Sequence, residues 1–191
     1  NNARLAAVVL LTSPGTPFIY YGEEIGMQGK KPDEDIRLPM QWNADANAGF
    51  TTSTPWRAPN ADYESVNVAI QDDDPNSLLN LYRSLIQLRR EHAALRVGSI
   101  SVLEPGNAGV YAAIRYDGNE IVLTLVNLTG KPISNYALTL EEETLPNRDL
   151  TLTPLLGTAD ASSITIRGGA FADYKPLAEL PPNQAYIFQL K

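Results

Sequence analysis

Cysteine is absent from this chain of 191 residues, and histidine occurs once, at His92. The absence of cysteine excludes disulfides, thiolate nucleophiles, iron–sulfur clusters and cysteine zinc sites within the chain. A single histidine excludes any site in these residues that needs two imidazoles. Basic residues are few as well, because 15 Lys and Arg face 22 Asp and Glu, for a formal net charge of -7. Since phosphate contacts need lysine and arginine, we expect no nucleic-acid partner.

Long apolar runs are also missing. The longest is LAAVVLL at residues 5–11, well below the roughly 18 residues that a membrane-spanning helix needs. Two asparagines precede it and no initiator methionine is present, so we favour a buried helix over the apolar part of a signal peptide. We expect no membrane partner and expect the chain to be a piece of a longer polypeptide. A cytoplasmic and a bacterial secreted location are both compatible with the composition.

The chain begins with a helix followed by a strand. Residues 1–12 are apolar on nearly all sides, which predicts a helix packed against a sheet or inside a large protein. The turn residues at 13–17 end it, and FIYY at 18–21 has the aromatic and β-branched composition of a fully buried strand. This order indicates part of a parallel α/β sheet.

A long segment without periodicity follows, and then a second helix. Residues 22–71 are rich in Gly, Pro, Asn, Asp and aromatic residues, and connections of that length are usually functional. Asp74 and Pro75 predict the helix start, as N-cap and first helical residue. The helix is predicted to continue to about residue 94, with Leu78, Leu81, Leu85 and Leu88 facing the core.

After Val97 and Gly98 the composition changes to short strand-like runs. These runs lie at residues 110–114, 120–128, 136–140, 150–154, 163–166 and 185–190. Turn signals such as Asp117-Gly118 separate them, which is typical of an antiparallel β-sandwich. We therefore predict an α/β part followed by an all-β part, with the boundary near residues 96–98.

Three features of the long segment can carry chemistry. Glu23 and Glu24 follow the predicted strand, but adjacent strand residues point to opposite faces, so we interpret them as structural rather than as a catalytic pair. The acidic residues at 33–35 lack the glycine-centred loop of a calcium site, so we predict no metal there. Arg37 beside them can clamp sugar hydroxyls or a carboxylate, or form an ion pair with its acidic neighbours.

The only two tryptophans, Trp42 and Trp56, lie in the same segment. Flat aromatic faces bind the C–H faces of sugars, so a carbohydrate site is one interpretation. The other, which we favour from the residues alone, is that the rings pin a long loop to its scaffold. His92 lies near the end of the second helix, where a cation is favoured by the helix dipole, and we interpret it as structural.

Several motifs follow one another along the first half of the chain, namely GTPFIYYGEEIGM at 15–27, RLPMQW at 37–42, NAGFT at 47–51, VNV at 66–68 and YRSLIQLR at 82–89. Together and in this order they resemble the α-amylase family, which is glycoside hydrolase family 13. The first resembles the family's eighth barrel strand with its turn, and the last resembles its final barrel helix. The resemblance covers residues 1–96; residues 97–191 are similar only in placement and strand pattern.

The resemblance implies the end of a TIM (β/α)8 barrel followed by an antiparallel β-sandwich. Residues 1–96 would hold helix 7, strand 8, a long loop and helix 8, and residues 97–191 the C-terminal sandwich domain. The implied partners are an α-glucan or oligosaccharide substrate and the missing N-terminal portion of the barrel. We expect Arg37, Asp35 and Trp42 to bind the substrate.

The resemblance also implies what the chain does not carry. The family uses an aspartate nucleophile, a glutamate acid/base and a stabilising aspartate in an Asn-His-Asp motif. His92 is followed by Ala93, so no His-Asp pair exists in the sequence. We expect no catalytic residue, metal or cofactor in this chain, and any calcium would lie in the rest of the parent enzyme.

The spacing of two motifs bears on the activity of the parent enzyme. Only residues 25–36 separate the Gly-Glu-Glu turn from RLPMQW, whereas oligo-1,6-glucosidases have a long insertion there. This favours an α-amylase-like enzyme that hydrolyses α-1,4 bonds in starch or maltooligosaccharides. The alternatives are an oligo-1,6-glucosidase or α-glucosidase, a trehalose-synthase-like transglycosidase, and a non-catalytic scaffold on an amylase-like barrel. We expect the fragment alone to be inactive.

Overall fold

The computed structural model describes residues 2–191. Its helices are α1 (Asn2–Thr12), α2 (Val68–Asp73), α3 (Leu78–Glu91) and α4 (Ala93–Val97). Its strands are β1 (Ser99–Val102), β2 (Val110–Tyr116), β3 (Ile121–Asn127), β4 (Leu138–Leu140), β5 (Asp149–Leu150), β6 (Leu152–Leu156), β7 (Ile164–Thr165), β8 (Phe171–Tyr174) and β9 (Ala185–Leu190). None of the helices in the described residues is long and apolar enough to cross a membrane.

Contacts divide the chain into two compact units. The residues up to Pro17 group with Ile86–Lys191, and we call them the sheet unit. Phe18–Leu85 form the second group, which we call the loop unit. The contacts therefore group α1 with the strands. The predicted division at residues 96–97 concerns the domains of the parent enzyme, and it stays a prediction.

The sheet unit is built on a five-stranded sheet in the order β1-β2-β3-β9-β6. Every pairing in it is antiparallel, and Leu123 of β3 lies opposite Ile114 on one side and Phe188 on the other. All residues of β3 are buried, as expected for the centre of the sheet. Two further antiparallel pairs, β4-β8 and β5-β7, contribute side chains to the same core. The antiparallel pairing agrees with the prediction, while the β-sandwich assignment stays a prediction.

The predicted strand at residues 185–190 has the bounds of β9, and the other predicted strands are present in longer, shorter or split form. Two further strands were not predicted. These are β1 and β8, in which no residue is buried. A strand without a fully buried face lacks the apolar alternation on which the prediction depends. The sequence signal was therefore strongest at the centre of the sheet and absent at these exposed strands.

Two buried arginines hold the carboxyl end of α1. Arg89 donates to the carbonyl oxygens of Leu11 and Ser13, both at 2.8 Å. Arg115 donates to the carbonyl oxygen of Thr12 at 2.7 Å. These are carbonyl groups that the end of a helix leaves without intrahelical donors. Burial lowers the pKa of both guanidinium groups from the usual value, and the negative end of the helix dipole favours their charge.

The predicted buried strand at residues 18–21 is not a strand in this structure. No segment of the described residues pairs with it, and Phe18 is 86% exposed. A strand needs a neighbour for its ladder of hydrogen bonds and for the burial of its side chains. The prediction of a buried strand is therefore wrong for the described chain, although the composition of the segment is typical of one.

The second predicted helix begins later and ends earlier than expected. Asp74 accepts the N–H of Asn76 in a turn at 2.8 Å, and the Oγ of Ser77 accepts the N–H of Asn80 at 3.1 Å. Ser77 is therefore the N-cap of α3, and the prediction of Asp74 in that role is wrong. The helix ends at Glu91 because His92 has extended backbone angles, with φ -101° and ψ 108°.

Candidate functional site

A cleft of about 360 Å³ opens in the loop unit. Part of its lining is apolar and comes from the RLPMQW segment, namely Leu38, Pro39 and Met40. The remainder is aromatic or charged, and these lining residues are Tyr21, Trp42, Phe50, Trp56, Glu24 and Arg37. Aromatic walls with a few polar groups are typical of pockets for small ligands. Two of the three residues predicted to bind substrate, Arg37 and Trp42, are therefore brought together at one place.

A tight turn positions Glu24 at the cleft. Gly22 and Gly26 have φ angles of 86° and 75°, and the short 3-10 helix Glu23–Ile25 lies between them. The N–H of Met27 closes the turn onto the carbonyl oxygen of Gly22 at 2.9 Å. A Cβ at Gly22 would lie 2.4 Å from the Met27 sulfur, so only glycine fits there without a shift. The backbone that carries Glu24 is therefore fixed by local geometry.

Backbone hydrogen bonds fix the segment that carries Trp42. The side chain of Gln41 is fully buried and donates to Asp62 Oδ1 at 3.1 Å. The N–H of Trp42 donates to the carbonyl oxygen of Ala48, and its own carbonyl accepts from Ala69. The backbone is thus held on both sides, and Gln41 rather than the indole anchors the segment.

The aromatic side chains at the cleft remain exposed. Trp42 is 50% and Trp56 57% exposed, and Phe50 is exposed to a similar degree. Rings that pinned a loop to its scaffold would be largely buried. Exposed apolar surface concentrated in a concave site is characteristic of a binding site. Within the described residues the rings are therefore not packed as anchors, and their contact with substrate stays a prediction.

Arg37 lies where it could bind a ligand and also contacts an acidic neighbour, the two interpretations that the sequence left open. It lines the cleft, and one guanidinium nitrogen lies 3.6 Å from Asp33 Oδ2. Both side chains are more than half exposed, and exposed ion pairs contribute only about 0–1 kcal/mol. A contact that weak restrains the guanidinium little, so Arg37 can still donate to a ligand in the cleft.

Asp35 lies outside the lining of the cleft. Its Oδ1 is 3.3 Å from Nε of Arg57, the residue that follows Trp56. This ion pair connects the segment that carries Trp56 to the short helix Asp33–Ile36. The contact with substrate that was predicted for Asp35 stays a prediction, and in this structure its partner is Arg57.

Glu23 and Glu24 have different environments, and they do not form a pair facing one space. Tyr82 donates its hydroxyl to Glu23 Oε1 at 3.0 Å. Burial, followed by the contact with Glu23, raises the pKa of Tyr82 far above its ordinary value. By contrast, Glu24 lines the cleft, and its Oε2 is buried with no hydrogen-bond partner among the described residues. Sequence reasoning weighed Glu24 only as half of a pair and missed it as a single ligand-facing carboxylate.

The described residues contain no cluster of three or more His, Asp or Glu side chains that could hold a metal ion. This includes the acidic residues at 33–35, where Asp33 and Asp35 contact arginines instead.

Tyr21 was also missed as a cleft residue, because it fell within the predicted buried strand. Its hydroxyl donates to the carbonyl oxygen of Leu38 at 3.0 Å, so its ring forms part of the cleft wall.

Comparison with known proteins identifies the protein family of the chain. Residues 1–98 match the family model described as "Alpha amylase, catalytic domain". The chain therefore belongs to the α-amylase family, glycoside hydrolase family 13, whose members are TIM-barrel enzymes.

Several relatives match more of the chain than the family model does. Trehalose synthase/amylase TreS of Mycobacterium tuberculosis is 41% identical over 145 residues, which cover 69% of this chain and 24% of that protein. Oligo-1,6-glucosidase of Parageobacillus thermoglucosidasius is 32% identical over 167 residues, which cover 68% and 30%. The chain therefore spans less than a third of the length of these relatives.

A solved structure matches the whole chain. The trehalulose synthase MutB from Pseudomonas mesoacidophila MX-45 is 29% identical, with a TM-score of 0.75, and the match covers 100% of this chain and 38% of that one. The chain thus has the mixed helix and sheet architecture of the corresponding part of a family 13 enzyme.

Proposed function

We propose that the parent protein is a retaining enzyme acting on α-glucosidic bonds, and that the cleft of the loop unit is part of its sugar-binding surface. The observation that carries this proposal is the presence of two half-exposed tryptophans and an arginine in one cleft. Indole faces can stack on the C–H faces of a sugar ring, while a guanidinium donates to its hydroxyls. The family supplies the substrate class, an α-glucan or oligosaccharide.

The carboxylates that break the bond would lie outside this chain. Retaining hydrolysis needs a nucleophile and an acid/base about 5–5.5 Å apart on either side of the glycosidic bond. Glu24 is the one carboxylate among the described residues that line the cleft. The chain would therefore bind and orient the sugar, while the rest of the barrel would perform the nucleophilic attack and proton transfer. We infer that the isolated chain is inactive and needs no cofactor.

Three reactions are candidates for the parent enzyme. The short spacing between the Gly-Glu-Glu turn and RLPMQW supports α-amylase-like hydrolysis of α-1,4 bonds. The other two are trehalose formation, supported by the likeness to TreS, and α-1,6 hydrolysis, supported by the likeness to oligo-1,6-glucosidase. Assays of the full-length protein on starch, maltose, isomaltose and trehalose distinguish them. A full-length protein that lacks the three family carboxylates and converts none of these sugars would indicate a non-catalytic scaffold.

The tryptophans allow a direct binding test on this chain. Because both line the cleft and there are no others, tryptophan fluorescence excited selectively over tyrosine reports on this site alone. We expect a saturable change on titration with maltose, isomaltose or trehalose, and a smaller one in Trp42→Phe. Arg83→Lys, which changes an exposed residue away from the cleft, serves as the control and should titrate like the wild type. If no sugar changes the fluorescence at any concentration, the proposal is wrong.

A further inference from the structure

We infer that Glu24 is a specificity-determining residue of the cleft, whose carboxylate accepts a hydrogen bond from one hydroxyl of the bound sugar. The inference rests on the proposed function, because it requires that the cleft binds a sugar. It goes further by naming the group that selects for an uncharged, fully hydroxylated ring.

The first support is an unused acceptor. Three buried side-chain oxygens in the described part of the chain have no hydrogen-bond partner, and they belong to Glu24, Gln41 and Thr124. Of these three residues, only Glu24 lines the cleft. A buried carboxylate oxygen without a donor is destabilising, and nearly all buried polar groups in folded proteins have a partner. A donor from a ligand in the cleft would satisfy this oxygen.

The second support is the fixed backbone that carries the side chain. The left-handed glycines on either side of Glu23–Ile25 hold the turn, and Gln71 donates to the carbonyl oxygen of Ile25 at 2.7 Å. Ile25 itself is buried, so the turn cannot rotate without exposing it. A carboxylate on such a rigid backbone can bind a ligand without the entropy cost of ordering the turn.

The third support is the chemistry of the two charged groups at the cleft. The carboxylate of Glu24 only accepts hydrogen bonds, and the guanidinium of Arg37 only donates them. A sugar hydroxyl does both, so neighbouring hydroxyls of one ring can satisfy the two groups. A uronic acid or a sugar phosphate would instead bring a negative charge towards Glu24. The cleft therefore fits a neutral glucoside with its hydroxyls intact.

Glu23 provides a matched control for Glu24. It lies next to Glu24 in the same turn, but its Oε1 already accepts the Tyr82 hydroxyl. Glu23→Gln and Glu24→Gln make the same chemical change, one at a residue bonded within the protein and one at the cleft. Glu24→Gln should therefore weaken sugar binding without lowering the stability, whereas Glu23→Gln should lower the stability without weakening sugar binding.

The wild-type chain and both variants are titrated with maltose and with its monodeoxy analogues. Tryptophan fluorescence measures the binding, and thermal melting measures the stability. We expect Glu24→Gln to weaken maltose binding by about tenfold or more. One monodeoxy analogue, the one that lacks the hydroxyl bound by Glu24, should bind the wild type more weakly than maltose does, by a similar factor. Glu24→Gln should bind this analogue and maltose equally well. The melting temperature of Glu24→Gln should be unchanged or higher, since no hydrogen bond to Oε2 is lost. Glu23→Gln should melt lower and bind maltose as the wild type does.

The outcomes separate this inference from the proposed function. If the wild type binds maltose and Glu24→Gln binds it equally well, the inference is overturned and the proposed function stands. If Glu24→Gln melts lower and loses affinity for every analogue by the same factor, Glu24 is structural, which also overturns the inference. If the wild type responds to no sugar, the proposed function fails and the inference fails with it.

Discussion

The sheet unit and the loop unit use apolar side chains in opposite ways. In the sheet unit, Leu125 and Ile187 are completely buried at the centre of the five-stranded sheet. In the loop unit, large aromatic side chains such as Phe18 and Trp56 are mostly exposed. Because removal of apolar area from water is the main driving force of folding, the sheet unit should supply most of the stability. The loop unit keeps its apolar area available for a ligand or a neighbouring segment.

The largest expected effect compares one aromatic truncation in each unit. Phe188→Ala removes a fully buried ring from the core of the sheet unit and should lower the free energy of unfolding by about 3–5 kcal/mol. Trp56→Ala removes a larger ring that is mostly exposed, and should change it by less than about 1 kcal/mol. Urea denaturation measures both values. Equal losses would contradict the assignment of stability to the sheet unit.

The second effect concerns one of the two buried arginines of the sheet unit. Arg115→Met removes the donor to the carbonyl oxygens of Thr12 and Gly98, each contacted at 2.7 Å. Leaving buried carbonyl groups unpaired should lower the free energy of unfolding by about 2–3 kcal/mol. Arg83→Met in the loop unit removes only exposed contacts, with Asp72 and with Asn80 Oδ1, and is the matched control, with an expected loss of about 0–1 kcal/mol. A control that is equally destabilised would remove the contrast between the units.

Alkaline pH should lower the stability of the sheet unit through a buried tyrosine. Burial raises the pKa of Tyr136 to about 12 from its ordinary value of 10.0. The unfolded chain therefore loses this proton first, so the contribution of Tyr136 is complete below pH 10 and disappears as the pH rises towards 12. The expected loss is on the order of 2 kcal/mol at the upper end. Unfolding of Tyr136→Phe, measured across this range, should depend less on pH, and an unchanged slope would contradict the assignment.

The smallest effect on stability is expected at the cleft. Arg37→Lys keeps the charge but loses the planar fork, and its ion pair with Asp33 is long and exposed. We expect a change of less than about 0.5 kcal/mol in the free energy of unfolding. Sugar binding, followed by tryptophan fluorescence, should nevertheless weaken clearly. A variant that loses stability but keeps affinity would show that Arg37 is a structural residue.

The sequence predicted those parts of the fold that depend on local patterns. Helix α1 and the central strands β3 and β9 were found because each carries its burial pattern within its own residues. The predictions failed where the structure of a segment depends on contacts with residues outside its own pattern. Residues 18–21 have the composition of a strand but no partner strand in the described chain, and Ser77 caps α3 in place of Asp74.

The candidate site was predicted in part for the same reason. Arg37 and Trp42 could be selected because their side chains suit sugars and their motif resembles that of the family. Their meeting at one cleft, and the exposure of Trp42, followed only from the structure. Glu24 could not be singled out, because the sequence does not show whether a carboxylate has a partner. Its difference from Glu23 depends on Tyr82, which lies far along the chain.

The two arginines at the end of α1 also determine where the chain tolerates a change in length. Successive residues of an α-helix are rotated by about 100°, since 3.6 residues make one turn. One residue inserted into α1 before Leu11 would turn different carbonyl groups towards Arg89 and Arg115, and the original acceptors would lose their donors. An insertion near Ser53, in an exposed loop, disturbs no such arrangement. Natural length variation among relatives should therefore collect around the cleft and avoid the end of this helix.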